Sequence, residues 1–140
     1  MSFHHVALTA EDPIALEKFF SRYFGFQRAR VLPLGEGQQI VFTKAGNTYL
    51  EIFGTGEARP QAAPENDGYG YPGVRHIAFK VDSVDDKLAE MGDDAHITLG
   101  PLDFDDFIPG WRTVWVSDPA GNIVEISQGF TDDSNPAPLE

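Results

Sequence analysis

Two stretches of this 140-residue chain say the same thing twice. Phe3–Asp12 reads FHHVALTAED and Val74–Asp82 reads VRHIAFKVD. Each is a short alternating run with a histidine near its start, and each leads into a predicted helix. Thr48–Phe53 reads TYLEIF and Asn122–Ser127 reads NIVEIS. Each is an apolar run with one glutamate in its middle. His76 follows His5 by 71 positions, and Glu125 follows Glu51 by 74. A near-constant offset over both residue types marks an internal duplication, which fixes the architecture before any local detail does.

The local pattern fills in each copy. The first strand is expected over His4–Ala10. Successive strand residues point to opposite faces, so Val6 and Leu8 face a helix while His5, Ala7 and Thr9 face the other way. His4 falls on the Val6/Leu8 side and reads as structural. Asp12 is an N-cap and Pro13 suits the first helical position, where no N–H is needed. Leu16, Phe19, Phe20, Tyr23 and Phe24 form one apolar stripe, and Gly25 ends the helix. Strands are predicted over Phe26–Leu34, Gln38–Ala45 and Thr48–Phe53, separated by Gly35–Gly37 and Gly46–Asn47. In the last of them Tyr49, Glu51 and Phe53 share a face.

Gly54–Gly73, rich in Gly and Pro, is a connector. Its Tyr69 and Tyr71 either cover a pocket or fasten the connector down. The second copy starts with a strand over Val74–Val81. His76, Ala78 and Lys80 lie on one face; Ile77, Phe79 and Val81 lie on the other. Ser83 opens a short helix through a capping box, with Val84, Leu88 and Met91 as its apolar side and Gly92 as its stop. His96 sits in a further strand. Gly100–Gly110 is acidic and aromatic, and reads as a lid or as an ordinary hairpin loop. Trp111–Ser117 and Ile123–Ser127 are strands around the turn Asp118–Asn122. The polar tail from residue 129 to 140 is expected to be disordered. Module one is thus 3–53, the linker 54–73 and module two 74–128, all in one domain. The fold class is α+β, with each module reading strand, helix and three strands.

If the copies pack with pseudo-twofold symmetry, His5, Glu51, His76 and Glu125 converge in one cleft. Two imidazoles and two carboxylates suit one divalent ion: imidazole favours Zn, Ni, Fe or Cu, and carboxylates keep Mn or Co possible. Without a cation, two carboxylates in one cleft repel each other. The ordinary alternative is two exposed glutamates and two hydrogen-bonded histidines. Around the four, Tyr49, Arg112 and Trp115 are candidate substrate contacts, Arg112 because guanidinium binds carboxylate or phosphate bidentately. Arg112 and Arg75 also read as plain surface arginines paired with carboxylates.

Charge narrows the partners. A formal net charge of −12 excludes nucleic acid and anionic membrane surfaces as expected partners. No cysteine is present, so thiolate chemistry and disulfides are out. MSFHHVAL lacks a basic stretch followed by an apolar one, and no apolar run approaches a bilayer span. A cytoplasmic location is the expectation.

The motifs H-x-A-L-x-A-x-D-P from His5, F-F-x-x-Y-F-G-F from Phe19, Y-L-E-I-F from Tyr49, H-I-A-F-K-V-D from His76 and D-P-A-G-N-I-V-E-I from Asp118 resemble the vicinal oxygen chelate superfamily. Its members include glyoxalase I, methylmalonyl-CoA epimerase, extradiol dioxygenases, and fosfomycin- and bleomycin-resistance proteins. The resemblance spans Phe3 to about Ser127. It implies two tandem βαβββ modules forming a cupped mixed sheet around one metal, and a homodimer whose site is in some members shared between subunits. His5, Glu51, His76 and Glu125 match the ligand set of glyoxalase I. Epimerases usually carry Gln where Glu51 stands, and dioxygenases and fosfomycin enzymes have no need of Glu51. Glyoxalase I commonly has Arg where Thr9 stands and Asn where Thr55 stands, both serving glutathione; this chain departs at both.

The expected function is that of a divalent-metal-dependent lyase or isomerase acting on a small carbonyl or hydroxy-carbonyl substrate. One ion of Zn, Ni, Co, Mn or Fe would polarise the substrate oxygen and stabilise an enediolate, with Glu125 or Glu51 as the base. The alternatives are an Fe-dependent extradiol-type dioxygenase and a non-catalytic drug-binding protein of the bleomycin-resistance type.

Overall fold

A computed structural model describes residues 1–139. Among the described residues eight strands and two α-helices follow one another as β1 (His5–Ala10), α1 (Pro13–Phe24), β2 (Gln27–Gly35), β3 (Gln38–Ala45), β4 (Thr48–Gly54), β5 (Ile77–Lys80), α2 (Val84–Met91), β6 (His96–Asp103), β7 (Arg112–Ser117) and β8 (Ile123–Gln128), with a single 3-10 turn at Gly92–Asp94 after α2. They make two four-stranded sheets of the same topology, β1-β4-β3-β2 and β5-β8-β7-β6. In both, the first strand lies parallel to the last, and the remaining pairs are antiparallel. The chain is therefore α+β, two tandem βαβββ modules. Among the described residues no helix is long and apolar enough to cross a membrane.

The helix ends are set where the sequence signals put them. The Asp12 carboxylate accepts from the Ala15 N–H, and Gly25 closes α1 in the left-handed conformation at φ 73°. Ser83 accepts from the Asp86 N–H at the start of α2.

One apolar core serves both modules. Leu16, Phe20, Phe26, Leu50 and Ile52 of the first pack in the same cluster as Val84, Val114, Val116, Val124 and Ile126 of the second. Phe79 of β5 is the wedge between them: its ring stacks on Phe24 at 4.5 Å and meets Phe26 edge-on at 5.8 Å. Lys87 on α2 adds a polar tie by donating to the Tyr23 carbonyl at 2.6 Å. The faces carrying Leu50, Ile52 and Ile126 are thus spent on the shared core. The histidines and glutamates lie on the opposite faces, outside that core.

Some expectations change and others narrow to one of their alternatives. The fifth strand is shorter than Val74–Val81, because residues 74–76 belong to the connector: Arg75 forks onto Asp67, with both nitrogens at 3.0 Å. Residues 100–103 pair within β6, and the remaining loop closes on itself, the Phe104 N–H donating to the Trp111 carbonyl at 2.8 Å and the Phe104 ring lying 5.0 Å from Trp111. That is a fastened hairpin turn, not a lid. His4, read as a structural histidine near the strand end, is exposed and stacks on Tyr49 at 4.6 Å. Arg112 belongs with Val114 and Val116 on the helix side of β7, where it bonds Asp103 and Asp85 at 3.0 Å.

The connector is knit to module two. Arg59 donates to the Ala120 carbonyl at 2.8 Å, and Tyr69 and Tyr71 stack on each other at 4.6 Å. Ala120 lies in the turn after β7, which the buried Asp118 organises by accepting from the Ala120 and Asn122 N–H groups. Burial pushes that carboxyl above its usual range. Residues 129–139 form no helix or strand, although Phe130 packs against Trp111 at 5.7 Å. Residue 140, the end of the expected disordered tail, lies outside the described residues.

Candidate metal centre

Register brings each histidine to its glutamate. In module one Ala7, two residues after His5, lies opposite Glu51; in module two Ala78, two residues after His76, lies opposite Glu125. Alternation then puts His and Glu on one face. His5 Nε2 stands 3.6 Å from Glu51 Oε1, and His76 Nε2 stands 3.1 Å from Glu125 Oε1. The carboxylates are largely covered, with side chains 18% and 14% exposed. That disposes of the reading in which they are solvated surface glutamates, since a covered carboxylate needs a partner.

An aromatic ring completes each pair. Glu51 faces Phe42 across β3 and Glu125 faces Trp115 across β7. The His5 and Phe42 rings meet edge-on at 5.7 Å, and those of His76 and Trp115 at 6.2 Å. The duplication therefore extends to a histidine, a glutamate and an aromatic. Phe42 was not picked out from the sequence, although its offset of 73 from Trp115 matches the repeat.

The second pair is the more tightly defined. His76 Nδ1 lies 2.6 Å from the Asp67 carbonyl oxygen, which can only accept, so Nδ1 carries the proton. In the neutral ring this leaves the Nε2 lone pair aimed at Glu125, acceptor against acceptor. Such a contact is favourable only with a cation or a second proton between the two. A fixed Nδ1–H donating to a carbonyl is the arrangement that orients metal-binding imidazoles. Asp67 is itself held by Arg75, whose hydrogen bonds keep the Asp67 carboxyl below the ordinary carboxylate range. Trp115 is 6% exposed, and its Nε1–H has no partner in the structure. An orphan buried donor on a ring 6.2 Å from His76 calls for a partner that the chain does not supply.

The first pair is looser. His4 Nδ1 and His5 Nδ1 share a hydrogen bond at 2.8 Å, and Tyr49 reaches the pair only by stacking on His4. Lys44 covers the Tyr49 ring at 5.3 Å.

The two pairs do not merge. Among the described residues no group of three or more His, Cys, Asp or Glu is placed to hold a metal. Two donors are short of the three or four protein ligands usual for a catalytic ion such as zinc. The donor chemistry fits a divalent metal, but one chain offers it as two half-sites. Of the remaining expected contacts, Trp115 joins the second half-site, Tyr49 borders the first, and Arg112 is tied up on the far side of β7.

A family model described as the glyoxalase/bleomycin resistance protein/dioxygenase superfamily matches residues 2–126. The chain belongs to that superfamily. Solved members of like build include a glyoxalase family protein from Enterococcus faecalis, with 28% identity and TM-score 0.67 over 90% of this chain and 96% of the other. The lactoylglutathione lyase from Agrobacterium tumefaciens shares 29% identity, with TM-score 0.62 over 91% and 93%. The fosfomycin resistance protein FosX from Listeria monocytogenes, complexed with Mn(II) and sulfate, shares 15% identity, with TM-score 0.62 over 93% and 92%, and so speaks to the superfamily fold alone. No curated protein matches the sequence.

Proposed function

We propose that this superfamily member is a divalent-metal-dependent lyase or isomerase of the glyoxalase type. It would act on a small carbonyl or hydroxy-carbonyl compound as a cytoplasmic homodimer. The observation that carries the reading is the His76–Glu125 contact, with Nδ1 committed to Asp67 and Nε2 open towards the carboxylate at 3.1 Å, together with its repetition by His5 and Glu51. The lactoylglutathione lyase among its structural relatives points the same way.

His5, Glu51, His76 and Glu125 would hold the ion. A bound divalent cation supplies Lewis acidity towards a carbonyl oxygen. Glu125 takes the proton from the neighbouring carbon and returns it, which requires hydrogen-bond reach to that carbon's proton; Glu51 is the equivalent base on the opposite side. Trp115 Nε1–H donates to a substrate oxygen, filling its own vacancy, and its ring with that of Phe42 excludes water. Because each chain carries two half-sites, His5 and Glu51 of one copy join His76 and Glu125 of another.

Purified protein, assayed for metal content and for turnover of methylglyoxal with and without glutathione, tests this. Glu125→Gln should retain the metal and lose at least about 100-fold in turnover. Unchanged turnover removes Glu125 from the role. A metal-free native protein that still binds ligands would favour the drug-binding reading instead, which the two-donor half-sites of a lone chain keep in play. Oxygen uptake on a catechol would favour the dioxygenase, a reading that leaves the Glu51–His5 contact without a purpose.

A further inference from the structure

Away from both half-sites, α1 and the ends of β6 and β7 enclose a cleft of about 300 Å³ where the two modules meet. Its floor is apolar: the Phe19 and Tyr23 rings, 6% and 5% exposed and 5.7 Å apart edge-on, with Pro119 opposite. Its rim is basic. Lys18 and Arg22 stand one helical turn apart on α1, and His96 faces them from the start of β6.

Lys18 and Arg22 set two formal positive charges on the rim against the one negative charge of Asp94. Asp94 is the one acidic residue of the lining, and it is already engaged by the Tyr23 hydroxyl, which donates to it. Arg22 reaches Asp94 only at 4.0 Å, and Lys18 has no ion-pair partner among the described residues. Two like charges at i and i+4 on a helix destabilise each other. In a chain of net charge −12, a cationic rim over an aromatic floor is an exception that calls for an anion. The anion must also cover apolar surface, which inorganic phosphate or sulfate does not. A cleft at the lower end of ligand-pocket volumes accepts only a small molecule.

We propose that this cleft binds a small aromatic monocarboxylate. The ring lies on Phe19, Tyr23 and Pro119. The carboxylate takes charge-assisted hydrogen bonds from Arg22 and Lys18, with His96 as a further donor. The ligand touches α1 of module one and the strand ends of module two, so occupancy braces the junction between them.

Benzoate and its neutral counterpart benzamide, titrated into the full-length protein and followed by amide chemical shifts, test the proposal. Saturable benzoate shifts are expected at Lys18, Arg22, Tyr23 and His96, with a millimolar or lower Kd that rises with salt. Benzamide should bind at least about tenfold more weakly. Lys18 and Arg22 are exposed, so the double variant K18Q/R22Q keeps the fold, and it should lose benzoate by about tenfold or more. The proposal is overturned if tens of millimolar benzoate shift nothing in the cleft, or if benzamide binds equally. It is also overturned if the double variant binds as before, or if the shifts centre on His76 and Trp115.

Discussion

His76 shows how much one backbone atom can decide. Its ring is oriented by the carbonyl of Asp67, a connector residue whose side chain is clamped by Arg75. The clamp has a pH signature. Arg75 lowers the folded-state pKa of Asp67, so the stability it contributes is complete above the ordinary carboxylate range and is lost as pH falls through the depressed value. Tm measured against pH should therefore fall more steeply on acidification for the native protein than for Asp67→Asn. Parallel curves would show that the clamp contributes nothing. The histidines and glutamates were legible in the sequence because they recur at a fixed offset. Asp67 was not, because it acts through a main-chain oxygen, which every residue type possesses. Arg112 follows the second of its two readings, an arginine paired with carboxylates: strand alternation puts it on the Val114 side, where it bonds Asp85 of α2.

At the scale of elements, alternation and capping account for most of what was readable. The spans of α1 and β3 follow from Asp12, Gly25 and the flanking turns, each a local signal. The fifth strand was drawn too long, and lid and hairpin stayed undecided for residues 100–110, because partners outside each run decide both: the Asp67–Arg75 fork shortens the one, and pairing with β7 lengthens β6 into the other. Phe79 carries the largest consequence of any side chain on these elements. Its ring meets Phe20, Phe24 and Phe26, all from the other module. Phe79→Ala should cost about 3 kcal/mol in denaturant unfolding. Leu34→Ala on the exposed face of β2 (58% exposed) should change stability by no more than about 0.5 kcal/mol. Equal losses at the two positions would mean that the wedge is not what joins the modules.

For the whole molecule, the two sheets place one apolar face each on a common core, and the histidine-bearing faces lie on the other side. The sequence announced two modules but not which sides of them meet, since a face lined by Val and Leu packs equally well on its own helix or on its neighbour's. The geometry makes a sharp prediction for the proposed homodimer. His5→Ala and His76→Ala should each abolish metal binding alone. Mixed after unfolding and refolding together in equal amounts, they should recover about a quarter of the native metal, because half of the dimers then contain one intact site out of two. Metal analysis of the mixture decides it. No recovery would place each site within a single chain.

The wedge at Phe79 also bears on how such a chain came to exist. One βαβββ unit alone would expose the surface that Phe20, Phe24, Phe26 and Phe79 now hide from each other. It would have to find a sister molecule in solution to stay folded. Tethering two units through residues 54–73 turns that search into a local encounter, with an effective concentration on the order of millimolar. Gene fusion would then have freed each half to diverge without the risk of meeting the wrong companion.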